Sequence, residues 1–222
     1  MKNNSGRHRA VVLVSGGLDS AVTLYAARAQ GYACTALIFD YGQRHRKEIQ
    51  CAKKICRAAG VPWFLVKIGM PWKGSALLDS RQALPVSGYD GGIPATYVPG
   101  RNIIFLSFAV SCAEALNAEA VFIGAHSQDY SGYPDCRPEF LAAFGRAVKR
   151  GTKTGLRKKA ISIVAPLVHK GKADIISLGA RLKVPFHLTW SCYAGAAEPC
   201  GTCDSCRFRA RGFREAGLKD SG

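Results

Sequence analysis

Two sets of residues in this 222-residue chain have types and spacing that could do chemistry: Ser15-Gly16-Gly17-Leu18-Asp19-Ser20 and the cysteines Cys192, Cys200, Cys203 and Cys206. The hexapeptide lies between the apolar run Ala10–Val14 and a helix-compatible segment. Strand, glycine loop and helix in that order make an anion cradle. Glycines let the backbone approach a ligand, and the first helical turn offers unpaired N–H groups with a partial positive charge. Ser15 and Ser20 add hydroxyl donors. Asp19 would repel a bare phosphate, so its presence points to a Mg²⁺–pyrophosphate ligand. Neither the G-x-x-x-x-G-K-[ST] loop nor G-x-G-x-x-G occurs. The cysteine spacing, C-x7-C-x2-C-x2-C, suits a tetrahedral Zn²⁺ whose four equal ligands leave no open position, hence a structural metal. An Fe–S cluster and a redox C-x-x-C are the alternatives.

Three further stretches carry candidate groups. In Asp40-Tyr41-Gly42-Gln43-Arg44-His45, Arg44 could meet a phosphate in bidentate fashion. In Val98-Pro99-Gly100-Arg101-Asn102, Asn102 reads as a helix N-cap. Arg101 beside it opposes the helix dipole unless an anionic ligand sits at that end. The loop from Gly124 to Arg137 mixes polar, aromatic and glycine residues as a recognition loop does. There Asp135 suits a guanine-type N–H edge, Arg137 a substrate carboxylate, and Tyr130 or Tyr133 a flat heterocycle. A basic run, Lys149, Arg150, Lys153, Arg157, Lys158 and Lys159, reads either as a solvated face or as a cation source for ATP or RNA phosphates.

The elements that must position these groups follow from pattern. Strands are expected at 10–14, 33–40, 63–68, 120–125 and 161–166, and helices at 19–30, 45–59, 102–116, 138–148 and 173–182. A short basic helix follows at 204–215. Alternating β–α units give an α/β fold, a five-stranded parallel sheet with helices on both faces and right-handed crossovers. Ligands in such sheets bind at the carboxyl ends of the strands, where the strand order reverses. The helix at 102–116 is apolar nearly all round and is expected to be buried. Residues 69–100, rich in Gly and Pro, read as a long substrate loop or lid. Trp190, Phe186 and Phe208 are expected to pack the cysteine segment against the core, and Cys34, Cys51, Cys56 and Cys112 to be buried.

Composition sets the limits. With 48% hydrophobic residues the chain can bury one full α/β core plus an appendage, divided here as residues 1–185 and 186–222. The net charge of +16 favours anionic partners. No apolar run reaches the length of a membrane span and the N-terminus lacks a signal core, so a soluble cytoplasmic protein is expected, without a disulfide framework.

S-G-G-L-D-S at 15–20 resembles the PP-loop of the ATP pyrophosphatases, which cleave ATP between the α- and β-phosphates. Together with D-Y-G-Q-R-H at 40–45, V-P-G-R-N at 98–102, S-G-Y-P-D-C-R-x-E-F at 131–140 and the four cysteines, it is similar to the 7-cyano-7-deazaguanine synthase family of the queuosine pathway, from Val11 to Arg209. The resemblance implies an ATP-dependent ligase that turns 7-carboxy-7-deazaguanine and ammonia into the nitrile by way of an adenylate and an amide, with ATP, Mg²⁺ and Zn²⁺. It implies Asp19, Ser20 and Arg101 as catalytic residues and Tyr41, Tyr133, Asp135 and Arg137 around the substrate. ATP would lie against Val11, Val12, Leu13, Val14, Ser15, Gly16, Gly17, Leu18, Asp19, Ser20, Ala21, Phe39, Gln43 and Arg44, and the metal on the four cysteines. A homodimer is expected, with small-molecule substrates, no membrane contact and no direct nucleic-acid binding. A PP-loop enzyme that modifies tRNA directly, by thiolation, is the competing reading. His126-Ser127-Gln128 and the basic run fall outside the family pattern.

Overall fold

The structure, a computed structural model, describes residues 8–72, 74–79, 81–82, 92–126 and 132–221. Five strands, β1 (Arg9–Leu13), β2 (Ala33–Asp40), β3 (Trp63–Lys67), β4 (Ala120–Phe122) and β5 (Ser162–Val164), form one parallel sheet in the order β3-β2-β1-β4-β5. The chain leaves β1 in one direction to β2 and β3 and then returns to β4 and β5 on the other side. The order therefore reverses between β1 and β4, and a crevice opens beyond their carboxyl ends.

Helices cover both faces. α1 (Leu18–Ala29), α2 (Lys47–Ala58), α6 (Lys172–Arg181) and α7 (Asp204–Glu215) share one apolar cluster with Val12, Ile38 and Phe122. α3 (Arg101–Ala115) and α4 (Pro138–Gly151) cover the other face over Val11, Leu37, Phe39 and Val121. α2 is built by spacing: Ile49, Ala52, Ile55 and Cys56 face the sheet and its charged residues face out. Pro138 starts α4 at a position where its missing N–H costs nothing. β2 is apolar almost throughout because it is covered on both faces.

Several expectations need correction. α3 is not buried: Leu106, Ala109, Val110 and Ala113 face inward, whereas Ile103 and Phe108 are 46% and 41% exposed. Its all-round apolar character thus marks two surfaces. Only one of them is covered by the sheet. Asn102 is not the N-cap of α3; that position is Gly100, and Asp135 serves the helix start instead. Phe208 points away from the core and Phe213 takes its place, edge-on to Phe186 at 5.2 Å. Cys34, Cys51 and Cys56 are buried, but Cys112 only partly. The basic run spans the end of α4, the one-turn helix α5 (Lys153–Leu156) and the chain entering β5. That places it at the amino edge of the sheet, where Thr154 N–H donates to the Glu114 carboxylate at 2.8 Å. The carboxyl-edge crevice lies at the opposite end of the sheet from this run.

Candidate active site

The Ser15–Ser20 loop leaves β1 and enters α1 at the crevice. Gly16 has φ +93°, and a Cβ there would overlap the backbone carbonyl of Glu48, so the loop needs glycine to pack on α2. The two serines lock it. Ser15 N–H donates to Ser20 Oγ at 3.2 Å, Gly17 N–H to Ser15 Oγ at 3.3 Å, and Ser20 Oγ–H to the Gly17 carbonyl at 2.9 Å. Among the described residues no side chain caps α1, and its first N–H groups open toward the crevice.

Asp19 stands in the first turn of α1. Lys172, from the first turn of α6, donates to both of its oxygens at 2.8 and 2.9 Å, and the buried His126 lies 3.1 Å from the Lys172 ammonium and 3.5 Å from Asp19. Burial works against the Asp19 charge, but Lys172 and His126 outweigh it and hold the carboxyl well below the usual range. The Lys172 stem crosses α7 at Gly212, where a Cβ would overlap the lysine Cγ and come within 2.8 Å of Ile176. Gly212→Ala is therefore expected to destabilise the fold by about 1–3 kcal/mol through overpacking. It should also displace Lys172 and lower turnover. A thermal melt beside a steady-state assay checks both.

The crevice holds a cleft of about 270 Å³. The loop residues Ser15, Gly17, Asp19 and Ser20 line it together with Leu13, Val14, Phe39, Tyr41, Gln43, Arg44, Glu48, Arg101 and Tyr133. Gln43 is fixed by Tyr41 N–H at 2.9 Å and by its own donation to the Phe39 carbonyl at 3.2 Å. Tyr133 OH meets Thr96 Oγ1 at 2.9 Å. Phe105 stacks flat on Phe39 at 4.0 Å and makes an apolar wall. Burial opposes the Arg101 charge, but the surrounding Tyr41, Tyr133 and Cys136 stabilise it and keep the guanidinium protonated. Burial likewise raises the Tyr41 hydroxyl, which accepts from Arg101. Glu48, in the first turn of α2, has its carboxyl pushed up by burial to about 7, with Arg101 pulling the other way.

Other sequence candidates sit elsewhere. Val11, Val12, Leu18 and Ala21 are in the core and shape the loop without lining the cleft. Asp135 is 4% exposed and turned to the start of α3, accepting from Asn102 N–H at 2.8 Å and Asn102 Nδ2 at 3.3 Å. It supplies the negative charge that the start of α3 wants, and it does not line the cleft. Arg137 is exposed and outside the cleft wall. Tyr130, with 127–131, lies outside the described residues. Sequence reasoning missed Lys172, His126 and Glu48. Lys172 did carry a signal, a cation at a helix start against the dipole, the same conflict that marked Arg101. Glu48 carried none, because an acid in the first turn of a helix is ordinary.

Cys192, Cys200, Cys203 and Cys206 bring their sulfurs within 4.8 Å of one another. That fits a single tetrahedral ion with metal–sulfur bonds of about 2.3 Å. The sulfurs already accept N–H bonds: Cys192 from Ala194 and Cys200 at 3.4 and 3.3 Å, and Cys200 from Cys203 at 3.4 Å. The Thr202 hydroxyl and neighbouring amides lower the Cys200 thiol to about 6. This segment grips the Ser15–Ser20 loop. Trp190 N–H donates to the Gly16 carbonyl at 2.9 Å, and Lys47 lies 3.5 Å over the Trp190 ring while its ammonium donates to the Ala196 and Ala197 carbonyls.

Comparison with solved structures shows the fold. The chain is similar to an NMN synthetase from Francisella tularensis, with a TM-score of 0.52, 17% identity and 99% and 81% of the two chains covered. It is also similar to a U34-tRNA thiolase, NcsA, from Methanococcus maripaludis, with a TM-score of 0.50, 17% identity and 94% and 65% covered. Among curated sequences, 7-cyano-7-deazaguanine synthase from Trichodesmium erythraeum is 50% identical over 96% of this chain and 98% of its own. The enzyme of that name from Acetivibrio thermocellus is 51% identical over 96% of each. The family model described as Queuosine biosynthesis protein QueC matches residues 9–217. With the loop, the cleft and the cysteine cluster all inside that match, the chain belongs to the QueC family of queuosine biosynthesis proteins.

Proposed function

We propose that this protein makes 7-cyano-7-deazaguanine from 7-carboxy-7-deazaguanine, ammonia and two molecules of ATP. The observation that carries the reading is that the Ser15–Ser20 cradle and the Arg101–Tyr41–Tyr133 group share one cleft. A carboxylate oxygen attacks the α-phosphorus, the α–β bridging bond breaks, and pyrophosphate leaves. Ammonia then displaces AMP to give the amide. The amide oxygen attacks a second α-phosphorus in the same way, and loss of AMP with the remaining N–H protons leaves the nitrile. The free N–H groups of α1 and the Ser15 and Ser20 hydroxyls hold the phosphates in line. Lys172 faces the charge that builds on departing pyrophosphate, and Arg101 orients the acyl end of the substrate. Mg²⁺, when bound, would neutralise phosphate charge, and Asp19 would hold it by giving up part of its pairing with Lys172. Zn²⁺ is the ion proposed for the four thiolates, with a structural part only. The test mixes protein, ATP, Mg²⁺, ammonium and the carboxylate. Nitrile formation with release of pyrophosphate is expected. A tRNA-dependent ATPase without nitrile would favour direct tRNA modification instead.

We also propose that two copies pair through the outer face of α3. Ile103, Ser107, Phe108 and Ser111 are exposed there without a charged residue between them. Phe64 of the edge strand β3, 51% exposed, lies on the same face of the sheet. Sedimentation should give a dimer, and Phe108→Glu a folded monomer. A wild-type monomer at tens of micromolar would contradict this. The need for ATP and for thiolates free to hold a metal supports a cytoplasmic location.

A further inference from the structure

Glu48 is left over by the reaction just described. Its carboxyl lines the cleft beside Arg101, yet it has no hydrogen-bond partner among the described residues. A half-buried carboxyl without donors is costly, and such a group is retained where a ligand completes it. The cleft wall holds two acidic side chains among the described residues, Asp19 and Glu48. Asp19 is taken by Lys172 on both oxygens. Asp135, a carboxylate that the sequence offers for the purine edge, is turned away to the start of α3.

A guanine-type ring presents two parallel donors, the ring N–H and the exocyclic amino group. A carboxylate, with two oxygens and no proton, is the side chain that accepts both. We infer that Glu48 is the specificity-determining carboxylate, accepting from the ring N–H and the 2-amino group of the 7-deazaguanine substrate. His45 lies three residues earlier in the cleft wall; its ring meets the Cys192 backbone, and among the described residues its Nδ1 has no hydrogen-bond partner. The raised pKa of Glu48 agrees with this, since two N–H donors would return the group to its ionised form.

The inference rests on the 7-deazaguanine reading, and its test separates the two. The probes are 7-carboxy-7-deazaguanine and the analogue with hydrogen in place of the 2-amino group. Wild-type protein should prefer the first by roughly 100-fold in kcat/KM, the effect of a buried acceptor left unpaired. Glu48→Gln, isosteric and uncharged, should keep or raise the melting temperature, bind the first probe more weakly, and discriminate by less than about 5-fold. The same two probes are titrated calorimetrically without ATP. If Glu48→Gln keeps the wild-type preference, the assignment is overturned. It is equally overturned if kcat falls alike on both probes with KM unchanged, the mark of a proton-transfer group. Discriminating binding that vanishes in Glu48→Gln, with no nitrile from the wild type, would sustain the carboxylate's role and sink the reaction instead.

Discussion

Asp19→Asn is expected to lower turnover by roughly 10²- to 10³-fold while leaving the chain folded. The carboxylate sits where the free N–H groups of α1 meet the cleft, and it is paired with Lys172 through two short hydrogen bonds. Asparagine keeps the shape but can neither hold a cation nor carry the charge that aims Lys172. The Lys172 side chain is 12% exposed, so loss of its counter-charge should cost about 1–3 kcal/mol of stability. The sign of the pH dependence follows. Because the folded pKa of Asp19 lies below its unfolded value near 3.8, the pair stabilises the fold above that pH and the contribution is lost as the pH falls through the acid range. Asp19→Asn should lack that part of the acid sensitivity. Lys172→Met should lose turnover to a similar degree, and the double variant should be little worse than either single one, since the two act as a unit. Independent, additive losses in the double variant would show that the pair does not work together.

Cys203→Ser should lose the metal and lower the melting temperature by roughly 10 °C, several kcal/mol in a domain of this size. The effect should not stay local. The segment that starts at Trp190 is tied to the nucleotide loop through the Gly16 carbonyl and to α2 through Lys47. A loosened cysteine cluster should therefore raise KM for ATP and speed amide exchange across 15–20. Metal analysis of the wild type should give one zinc per chain. A Cys203→Ser protein that stayed folded and metal-loaded would overturn the four-thiolate centre.

Much of this architecture was legible in the residues. β2 and α7 fall where pattern placed them, because a strand buried on both faces and a short amphipathic helix both write their period plainly. That the Ser15–Ser20 loop lines a cleft and that the four cysteines cluster was legible because each is contiguous. What was hidden depends on the return path of the chain. Lys172 reaches Asp19 only because α6 packs beside α1, a contact across 153 positions of sequence that no local pattern encodes. Asp135 looked like a ligand group because loop composition does not reveal which helix start a carboxylate will serve. α3 looked buried because apolar character alone does not say which face a helix turns to the core: Ile103 and Phe108 are as apolar as Leu106 and Val110.

The Ser15–Ser20 loop is proposed to drive attack of the substrate carboxylate on the α-phosphorus. Supplying 7-carboxy-7-deazaguanine with both carboxyl oxygens as ¹⁸O, and weighing the products by mass spectrometry, tests it directly. An unlabelled nitrile and one ¹⁸O in each of two AMP molecules are expected, with unlabelled pyrophosphate. Label in orthophosphate beside ADP, or in neither nucleotide product, would contradict it.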